Sequence, residues 1–273
     1  MNYLRTFIAA GLVGLAATTA FAGEDNNDKA LLSNQMLLPT DWVQSSAEYR
    51  ALTISIYNMS KTILDMHLAQ SRDKPPAVIL DLDETLLDNS PYQAMTVEEK
   101  TSYPDGWFDW IDAAQAKAVP GGLDFLKYAD SKGVQIFYVS NRKNMKERAG
   151  PGLQNTLKNI QALGFPQADE SHVYLRTGSS SKEERRQTIM AKYDVVMMFG
   201  DNLNDHSDEF KGKSVAERKA AVDRNASKFG TSWIVLPNPM YGEWEGAIYS
   251  YNWGASPKEK DAMRRAALDV WKR

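Results

Sequence analysis

Residues 77–85 read Ala77-Val78-Ile79-Leu80-Asp81-Leu82-Asp83-Glu84-Thr85. A continuous apolar run of this kind indicates a strand that is buried on both faces, and here it changes at once into acidic residues. The same change follows two further apolar runs, at 134–139, before Ser140-Asn141-Arg142, and at 195–199, before Gly200 and Asp201. The three runs predict three buried strands, each with polar residues at its carboxyl end.

Stretches compatible with helices alternate with these strands. They lie near residues 122–132, 145–163, 182–192 and 214–229, and two more short apolar runs occupy 173–175 and 233–236. Gly133 and Gly164 are placed where helix C-terminal caps are expected. This alternation predicts an α/β fold in which a Rossmann-like parallel sheet carries helices on both faces.

The N-terminal region has the features of a processing signal. Arg5 is followed by an uncharged run that ends in Ala20-Phe21-Ala22, so residues 1–22 are predicted to be a secretory signal peptide. A membrane anchor is the alternative, but the run is short and rich in Gly, Ala and Thr. We therefore expect cleavage near Ala22 and an exported protein, most simply a periplasmic one.

One main domain is expected after the signal peptide. Residues 23–38 are predicted to be a flexible N-terminal arm, and Pro39-Thr40-Asp41 supplies cap residues for a helix that reaches about Gln70. The main domain would then cover 39–273. Within it, an insertion at about 88–119 is longer than a crossover requires, so it is predicted to form a small helical cap over the edge of the sheet.

Composition and charge exclude several classes of protein. The chain has 273 residues, with 32 Lys and Arg against 35 Asp and Glu, which gives a net charge of −3. A protein that binds nucleic-acid polymers through their phosphates normally has a basic excess, so no such partner is expected. The chain has no cysteine. That excludes disulfides, thiolate nucleophiles, cysteine-ligated metals and a lipid anchor on a cysteine.

The polar residues at the strand ends form a candidate site. Ligands of open parallel sheets bind at the carboxyl ends of the strands. Asp81 and Asp83 leave one strand two positions apart, and Asp201 leaves another, so their carboxylates can face one crevice. Such a cluster is unfavourable at neutral pH unless a cation balances it. Because the available ligands are oxygen atoms, the predicted cation is Mg²⁺.

Phosphoryl transfer is the chemistry that fits these groups. A carboxylate beside Mg²⁺ can attack phosphorus, because the ion screens its repulsion from the phosphate dianion. Asp81 would form an aspartyl phosphate, and Asp83 would protonate the leaving oxygen and later deprotonate water. Ser140 and Asn141 can donate hydrogen bonds to the phosphoryl oxygens. Lys182 is the candidate for balancing the charge of the nucleophile and the phosphate.

Each of these motifs taken alone has a simpler explanation. Acids after a strand commonly cap helices, Ser140-Asn141-Arg142 is compatible with a turn, and Lys182 with a solvated helix start. Residues 201–205 could be considered a calcium loop, but Leu203 stands at a ligand position and the required Gly and terminal Glu are missing. The combination at three strand ends, in a consistent order, favours a functional site.

At this point the sequence resembles the haloacid-dehalogenase-like phosphohydrolases, and more narrowly the bacterial class C non-specific acid phosphatases. The resemblance covers most of the chain after the signal peptide. It is carried by five stretches, which are 79–89, 139–142, Lys182, 200–205 and 236–245. It implies a magnesium-dependent acid phosphatase that hydrolyses small phosphomonoesters, including nucleoside 5′-monophosphates, and that can form a homodimer.

The resemblance also implies roles for individual residues. Asp81 would be the nucleophile, Asp83 the acid and base, and Ser140 and Lys182 would hold the phosphoryl group. Mg²⁺ would be bound by Asp81, by the backbone carbonyl of Asp83 and by Asp201, and Asp205 would orient its water ligands. One departure is that many relatives carry an N-terminal lipid-anchored cysteine. This chain lacks one, so no lipid anchor is expected.

Aromatic residues are candidates for the leaving-group pocket. Trp107 and Trp110 are three residues apart on a predicted helix, and Tyr241 and Trp244 lie in the last matching stretch. Core packing is the alternative for any such pair. We expect Trp107 and Tyr241 to line the pocket, because a planar leaving group needs stacking partners. The three histidines, His206 among them, are assigned no role in catalysis or metal binding.

Two rival functions use the same fold. One is a non-catalytic exported binding protein, although such a relative would be expected to lack the nucleophile, and Asp81 is present. The other is a different phosphoryl-transfer reaction of the same superfamily.

Overall fold

The computed structural model describes residues 17–144 and 152–273 of the chain, and the side chains from residue 30 onward. Five parallel strands form the main sheet in the order β5-β4-β1-β6-β7, and a short antiparallel pair joins β2 to β3. The strands are β1 Pro76–Leu80, β2 Leu87–Asp88, β3 Lys117–Ala118, β4 Gln135–Lys143, β5 Val173–Arg176, β6 Asp194–Gly200 and β7 Trp233–Val235.

Helices cover both faces of this sheet. They are α1 Ala17–Ser45, α2 Ala47–Leu68, α3 Ser90–Glu98, α4 Trp107–Ala113, α5 Gly122–Ser131, α6 Gly152–Ala162, α7 Glu183–Met190, α8 Val215–Arg224, α9 Glu243–Ile248 and α10 Pro257–Ala266. Single turns of 3₁₀ helix lie at Leu203–Asp205, Asp208–Phe210 and Ala226–Lys228. The α/β parallel-sheet fold expected from the sequence is confirmed.

The central strand explains why its sequence is apolar without interruption. Val78 and Leu80 of β1 pack into one buried cluster, and Ala77 and Ile79 pack into the cluster on the opposite face. Because β1 pairs with β4 on one side and with β6 on the other, it has no exposed edge. A strand buried in this way can carry no solvated face, which removes the alternating pattern.

The N-terminal helices differ from the expectation. Residues 23–38 lie within helix α1, which packs against α3 and α10, so the structure places helix where a flexible arm was predicted. The single helix expected from Pro39 to about Gln70 is divided at Ser46. That residue has extended backbone angles, and its side chain accepts a hydrogen bond from the Tyr49 N–H at 3.0 Å. This cap ends one helix and starts the next.

The insertion near residues 88–119 is closed at its base by the β2–β3 pair. A backbone hydrogen bond of 2.9 Å from the Val119 N–H to the Leu86 carbonyl continues this closure. The segment between the two short strands holds α3 and α4. It begins shortly after the acidic stretch that follows β1, next to the carboxyl end of the central strand in the sequence, and its role as a cap over the sheet stays a prediction.

The predicted signal peptide lies largely outside the described residues, since 1–16 are not among them. The predicted helix at 145–163 is described only from Gly152. Among the helices over 17–144 and 152–273, none combines the length and apolar character that crossing a bilayer requires.

Candidate active site

Three carboxylates meet at the carboxyl ends of neighbouring strands. Asp81 directly follows β1, and its N–H donates to the Phe199 carbonyl of β6 at 3.0 Å. Asp201 directly follows β6, and Asp205 lies in the 3₁₀ turn one step further on. One oxygen from each carboxylate lies within 4.8 Å of the other two. Because β1 and β6 are adjacent, three acids form a cluster at this edge of the sheet. The sequence predicts two of them, Asp81 and Asp201, at these strand ends.

The position of Asp205 depends on the turn that carries it. Its Oδ2 accepts a hydrogen bond of 3.1 Å from the Asn202 N–H, and the Asn202 side chain accepts from the Asn204 N–H at 3.2 Å. The side chain passes directly over Gly200, where an added Cβ would lie 2.3 Å from Oδ2. Glycine is required at 200 for this close approach, because any side chain would displace the acid.

Lys182 supplies the cation in direct contact with the cluster. Its Nζ contacts Asp81 Oδ1 and lies 2.6 Å from Asp205 Oδ1. The lysine is buried and directly precedes α7. Arg186, one turn into that helix and also buried, donates to the Asn204 and Asp205 carbonyls at 2.9 and 3.0 Å. These bonds fix α7, and with it Lys182, against the turn that carries Asp205.

The electrostatics of the cluster call for a further positive charge. Burial raises the pKa of Asp81 well above its usual range, and the charges of Asp205 and Asp201 add to this, although Lys182 opposes it. Burial, followed by the charge of Asp205, raises the pKa of Asp201 to about 7. Three carboxylates against one lysine leave two negative charges, which one divalent cation would balance. The all-oxygen donor set suits a hard cation, so these residues fit Mg²⁺.

Asp83 belongs to a separate network. Its carboxylate does not join the acid cluster but pairs with buried Arg142, with Nη2 to Oδ1 at 2.7 Å and Nε to Oδ1 at 2.9 Å. Asn89 donates to Oδ1 at 2.9 Å, and the Ser140 hydroxyl donates to Oδ2 at 3.3 Å. Asp83 therefore engages its carboxylate outside the cluster of three acids, and metal binding through its backbone carbonyl stays a prediction.

Ser140 and Asn141 lie near the end of β4, and the structure gives them different surroundings. Ser140 is fully buried, contacts Asp83, and accepts from the Arg142 N–H at 3.0 Å. The Asn141 side chain is exposed, donates to the Ser180 carbonyl at 3.0 Å and accepts from Arg185 at 2.7 Å. Its amide is thus engaged by the loop before α7, and phosphate binding by Asn141 stays a prediction.

The two predicted pocket aromatics each contact a different part of the site. Trp107 packs edge-on against Tyr92, with ring centroids 4.9 Å apart, and lies 5.9 Å from the guanidinium of Arg142. The Tyr241 hydroxyl donates to buried Glu84. Both aromatic residues are partly buried. The leaving-group pocket they were expected to line stays a prediction.

His206 has a structural role in the described part of the chain. It is buried, its Nε2 lies 3.1 Å from the Ile234 carbonyl of β7, and its ring centroid is 5.7 Å from that of Trp233. Burial lowers the pKa of His206. The described contacts of His206 are therefore packing and hydrogen-bonding contacts with β7, and its lack of a catalytic role stays a prediction.

Sequence reasoning missed three residues that organise the site. In the sequence, Arg142 stands beside Ser140 and Asn141, and Asn89 closes the stretch 79–89, but no individual role follows for either of them, and none follows for Arg186. Several of their contacts join residues that are distant in sequence, since Arg142 contacts Asp83 across 59 positions and Asn89 contacts Trp110 across 21, so no local pattern reveals these contacts. The only signal for Asn89 and Arg142 is their place in two of the matching stretches, 79–89 and 139–142.

Comparison with known proteins gives a consistent result. Residues 15–244 match the family model described as HAD superfamily, subfamily IIIB (acid phosphatase). The structure of the class C acid phosphatase from Bacillus anthracis is 45% identical and covers 89% of this chain and 100% of that one, with a TM-score of 0.84. The same enzyme with tungstate bound matches with the same values.

A curated plant protein matches more distantly. Acid phosphatase 1 of Solanum lycopersicum is 25% identical over 170 residues, which is 60% of this chain. The aligned part spans 57% of the length of that relative.

Proposed function

Because the chain belongs to the acid phosphatases of HAD superfamily subfamily IIIB, we propose that it hydrolyses phosphomonoesters through an aspartyl phosphate formed on Asp81. The enzyme class that goes with this family is phosphoric monoester hydrolase. The observation that supports the mechanism most directly is the contact of Asp81 with Lys182 inside a cluster of three acids. A nucleophile needs a cation at this place to approach an anionic phosphate.

Mg²⁺ is the proposed cofactor. Asp81, the backbone carbonyl of Asp83 and Asp201 would hold it, with Asp205 orienting its water ligands. When bound, the ion would screen the repulsion between carboxylate and phosphate. The support is the charge of the cluster and its oxygen donors, both of which suit a divalent hard cation.

The chain's own residues supply each bond change. An Asp81 oxygen attacks phosphorus, the ester P–O bond breaks, and Asp83 gives its proton to the departing oxygen. Asp83, now a carboxylate, takes a proton from water while the water oxygen attacks phosphorus. The bond between phosphorus and Asp81 then breaks, which releases inorganic phosphate and restores both acids. Lys182, Ser140 and Asn141 would hold the phosphoryl oxygens through these steps.

The proposed substrates are small phosphomonoesters, including nucleoside 5′-monophosphates. Trp107 and Tyr241 would stack on the base, with a contribution on the order of 1–3 kcal/mol for each aromatic contact. The tungstate bound by the Bacillus anthracis relative is a tetrahedral oxyanion, as phosphate is, which agrees with a phosphate-binding crevice. Replacing Trp107 or Tyr241 by Ala should raise KM for nucleoside monophosphates more than KM for a small alkyl phosphate.

The proposed setting is outside the cytoplasm. Cleavage near Ala22 would release a periplasmic enzyme with no lipid anchor, since the chain has no cysteine to carry one. A homodimer is proposed from the family resemblance.

The deciding experiment is an assay of purified protein on p-nitrophenyl phosphate, with Mg²⁺ and with EDTA. Activity should require the metal and should be abolished in Asp81→Asn. The matched control is Asp223→Asn, an exposed acid of α8 outside the site, which should keep full activity. Turnover by Asp81→Asn at the wild-type rate would remove the covalent mechanism.

A further inference from the structure

Asn89 connects the predicted acid and base to its surroundings through every polar atom of its side chain. The residue is completely buried at the start of α3. Its Nδ2 donates to Asp83 Oδ1 at 2.9 Å and to Glu84 Oε2 at 3.2 Å. Its Oδ1 accepts from Trp110 Nε1 at 2.8 Å and from Arg142 Nη2 at 3.4 Å. The carboxamide is therefore fully used and held in one orientation.

These four partners come from three different parts of the fold. Asp83 and Glu84 follow the central strand, Arg142 stands in β4, and Trp110 stands in helix α4 of the inserted cap. Asn89 thus connects the cap to the carboxylate of Asp83 by hydrogen bonds, beside the packing of Trp107 on Arg142. The Glu84 carboxylate also binds the backbone of Asn89, because its Oε1 accepts a hydrogen bond from the Asn89 N–H at 2.9 Å.

Arg142 alone would leave this carboxylate less constrained. In the described part of the chain its Nη1 is buried and has no hydrogen-bond partner, so its orientation relies on Asp83 and Asn89. A donor on a second side, from Nδ2 of Asn89, fixes the plane of the carboxylate. Proton transfer to a leaving oxygen depends on that placement, and a displacement of about 1 Å can cost about 100-fold in rate.

We propose that Asn89 is a positioning residue that aims the Asp83 carboxylate at the leaving-group oxygen and couples this aim to the cap through Trp110. The inference rests on the proposed function, in which Asp83 protonates the departing oxygen. Its consequence is a dependence on the leaving group. An alkoxide needs the proton in order to leave, whereas p-nitrophenolate is stable enough to depart without one.

The test compares kcat/KM for an alkyl phosphate, such as glycerol 2-phosphate, with kcat/KM for p-nitrophenyl phosphate. For each substrate, kcat/KM reports the steps up to the formation of the aspartyl phosphate, where the leaving group departs. In Asn89→Ala it should fall at least about 30-fold for the alkyl ester and less than about threefold for the nitrophenyl ester. The value of kcat should fall for both substrates, because Asp83 also activates water.

A second variant covers the case in which Asn89→Ala does not fold. Trp110→Phe keeps an aromatic side chain and removes the Nε1 donor together with one ring of the indole. It should lower kcat/KM for the alkyl ester about threefold to tenfold with little change for the nitrophenyl ester. The matched control is Ser90→Ala. Ser90 is the adjacent residue, is equally buried, and its hydroxyl has no partner among the described residues, so this variant should behave as wild type.

The outcomes separate the inference from its premise. Selective loss on the alkyl ester in Asn89→Ala or Trp110→Phe supports the positioning role. If kcat/KM of the folded variants decreases by the same factor for both esters, or decreases for neither, the positioning role is overturned. A loss of folded enzyme would lower kcat/KM for both esters alike. A wild-type protein that hydrolyses neither ester would overturn the proposed function and the positioning role together.

Discussion

The Nζ atom of Lys182 touches two buried carboxylates, those of Asp81 and Asp205. Burial alone would lower the pKa of Lys182, but the charges of Asp205 and Asp81 outweigh burial and raise it, so the ammonium form is favoured. Removing one member of a buried ion pair leaves the other charges uncompensated in a low-dielectric site. The stability of the site and its reactivity therefore depend on the same side chain.

Lys182→Met should lower the free energy of unfolding by about 3 kcal/mol in metal-free buffer and should remove most phosphatase activity. Urea unfolding and kcat/KM measure the two effects. Lys132→Met is the matched control, because Lys132 Nζ pairs with Asp65 Oδ1 at 3.3 Å on the exposed surface, where solvent screens the charges, and this variant should unfold as wild type does. Unchanged stability in Lys182→Met would show that Lys182 does not balance the buried acids.

At the residue scale, the sequence revealed the acids better than their partners. Asp81 and Asp201 could be found because each directly follows an apolar run, so their place at a strand end is a local property. Arg142 contacts Asp83 across 59 positions of sequence, and no local pattern reports such a contact. The same limit explains why Asn141 could be placed just after the apolar run 134–139, near the end of β4, while the partners of its amide, Ser180 and Arg185, could not be foreseen.

At the scale of elements, the 3₁₀ turn at Leu203–Asp205 decides where the third acid stands. The turn is closed by the Asn202 cap and bound from outside by Arg186 of α7. The Asp205 side chain approaches the backbone of Gly200 so closely that a methyl group there would overlap its Oδ2. The end of β6 and the turn therefore depend on each other for their positions.

Gly200→Ala should displace Asp205 and with it lower kcat at least about tenfold, since a new methyl group would meet the acid. Steady-state kinetics and the melting temperature report the result. Gly254→Ala is the control, because the nearest atom to its added Cβ is 3.8 Å away, and it should change neither quantity. Wild-type activity in Gly200→Ala would contradict the requirement for this close approach.

The N-terminal helices α1 and α2 show the limit of what local sequence patterns can predict. The spacing of apolar residues continues without a break across Ser46, so periodicity alone predicts one helix where the structure has two. Residues 30–38 offer weak amphipathic signal, yet they are helical because they pack on α3 and α10, which are distant in sequence. Tertiary packing of this kind overrides weak local propensity.

At the scale of the whole molecule, Mg²⁺ binding should be coupled to folding. The cluster of Asp81, Asp201 and Asp205 exists only when β1, β6 and the following turn are assembled, so the ion should bind the native state and not the unfolded chain. Raising Mg²⁺ to about 100 times its Kd should stabilise the protein by about 2.7 kcal/mol. Asp201→Asn should abolish this gain. A melting temperature independent of Mg²⁺ in the wild type would contradict the proposed metal site.

Export is a second property of the whole chain. If residues 1–22 are a signal peptide, the protein recovered from the periplasm should begin at Gly23. Intact-mass spectrometry of the recovered protein, with a cytoplasmic version produced without residues 1–22 as the reference, measures this. Recovery of an uncleaved chain that starts at Met1 would contradict the prediction.

The covalent role of Asp81 is tested most directly by rapid acid quenching of the enzyme during turnover of a phosphomonoester, followed by peptide mass spectrometry. We predict one added phosphoryl group on the peptide that contains Asp81, sensitive to hydroxylamine as an acyl phosphate is. The label should be absent from Asp81→Asn. A phosphoryl group found stably on another residue, or full turnover by Asp81→Asn with no adduct, would contradict the mechanism.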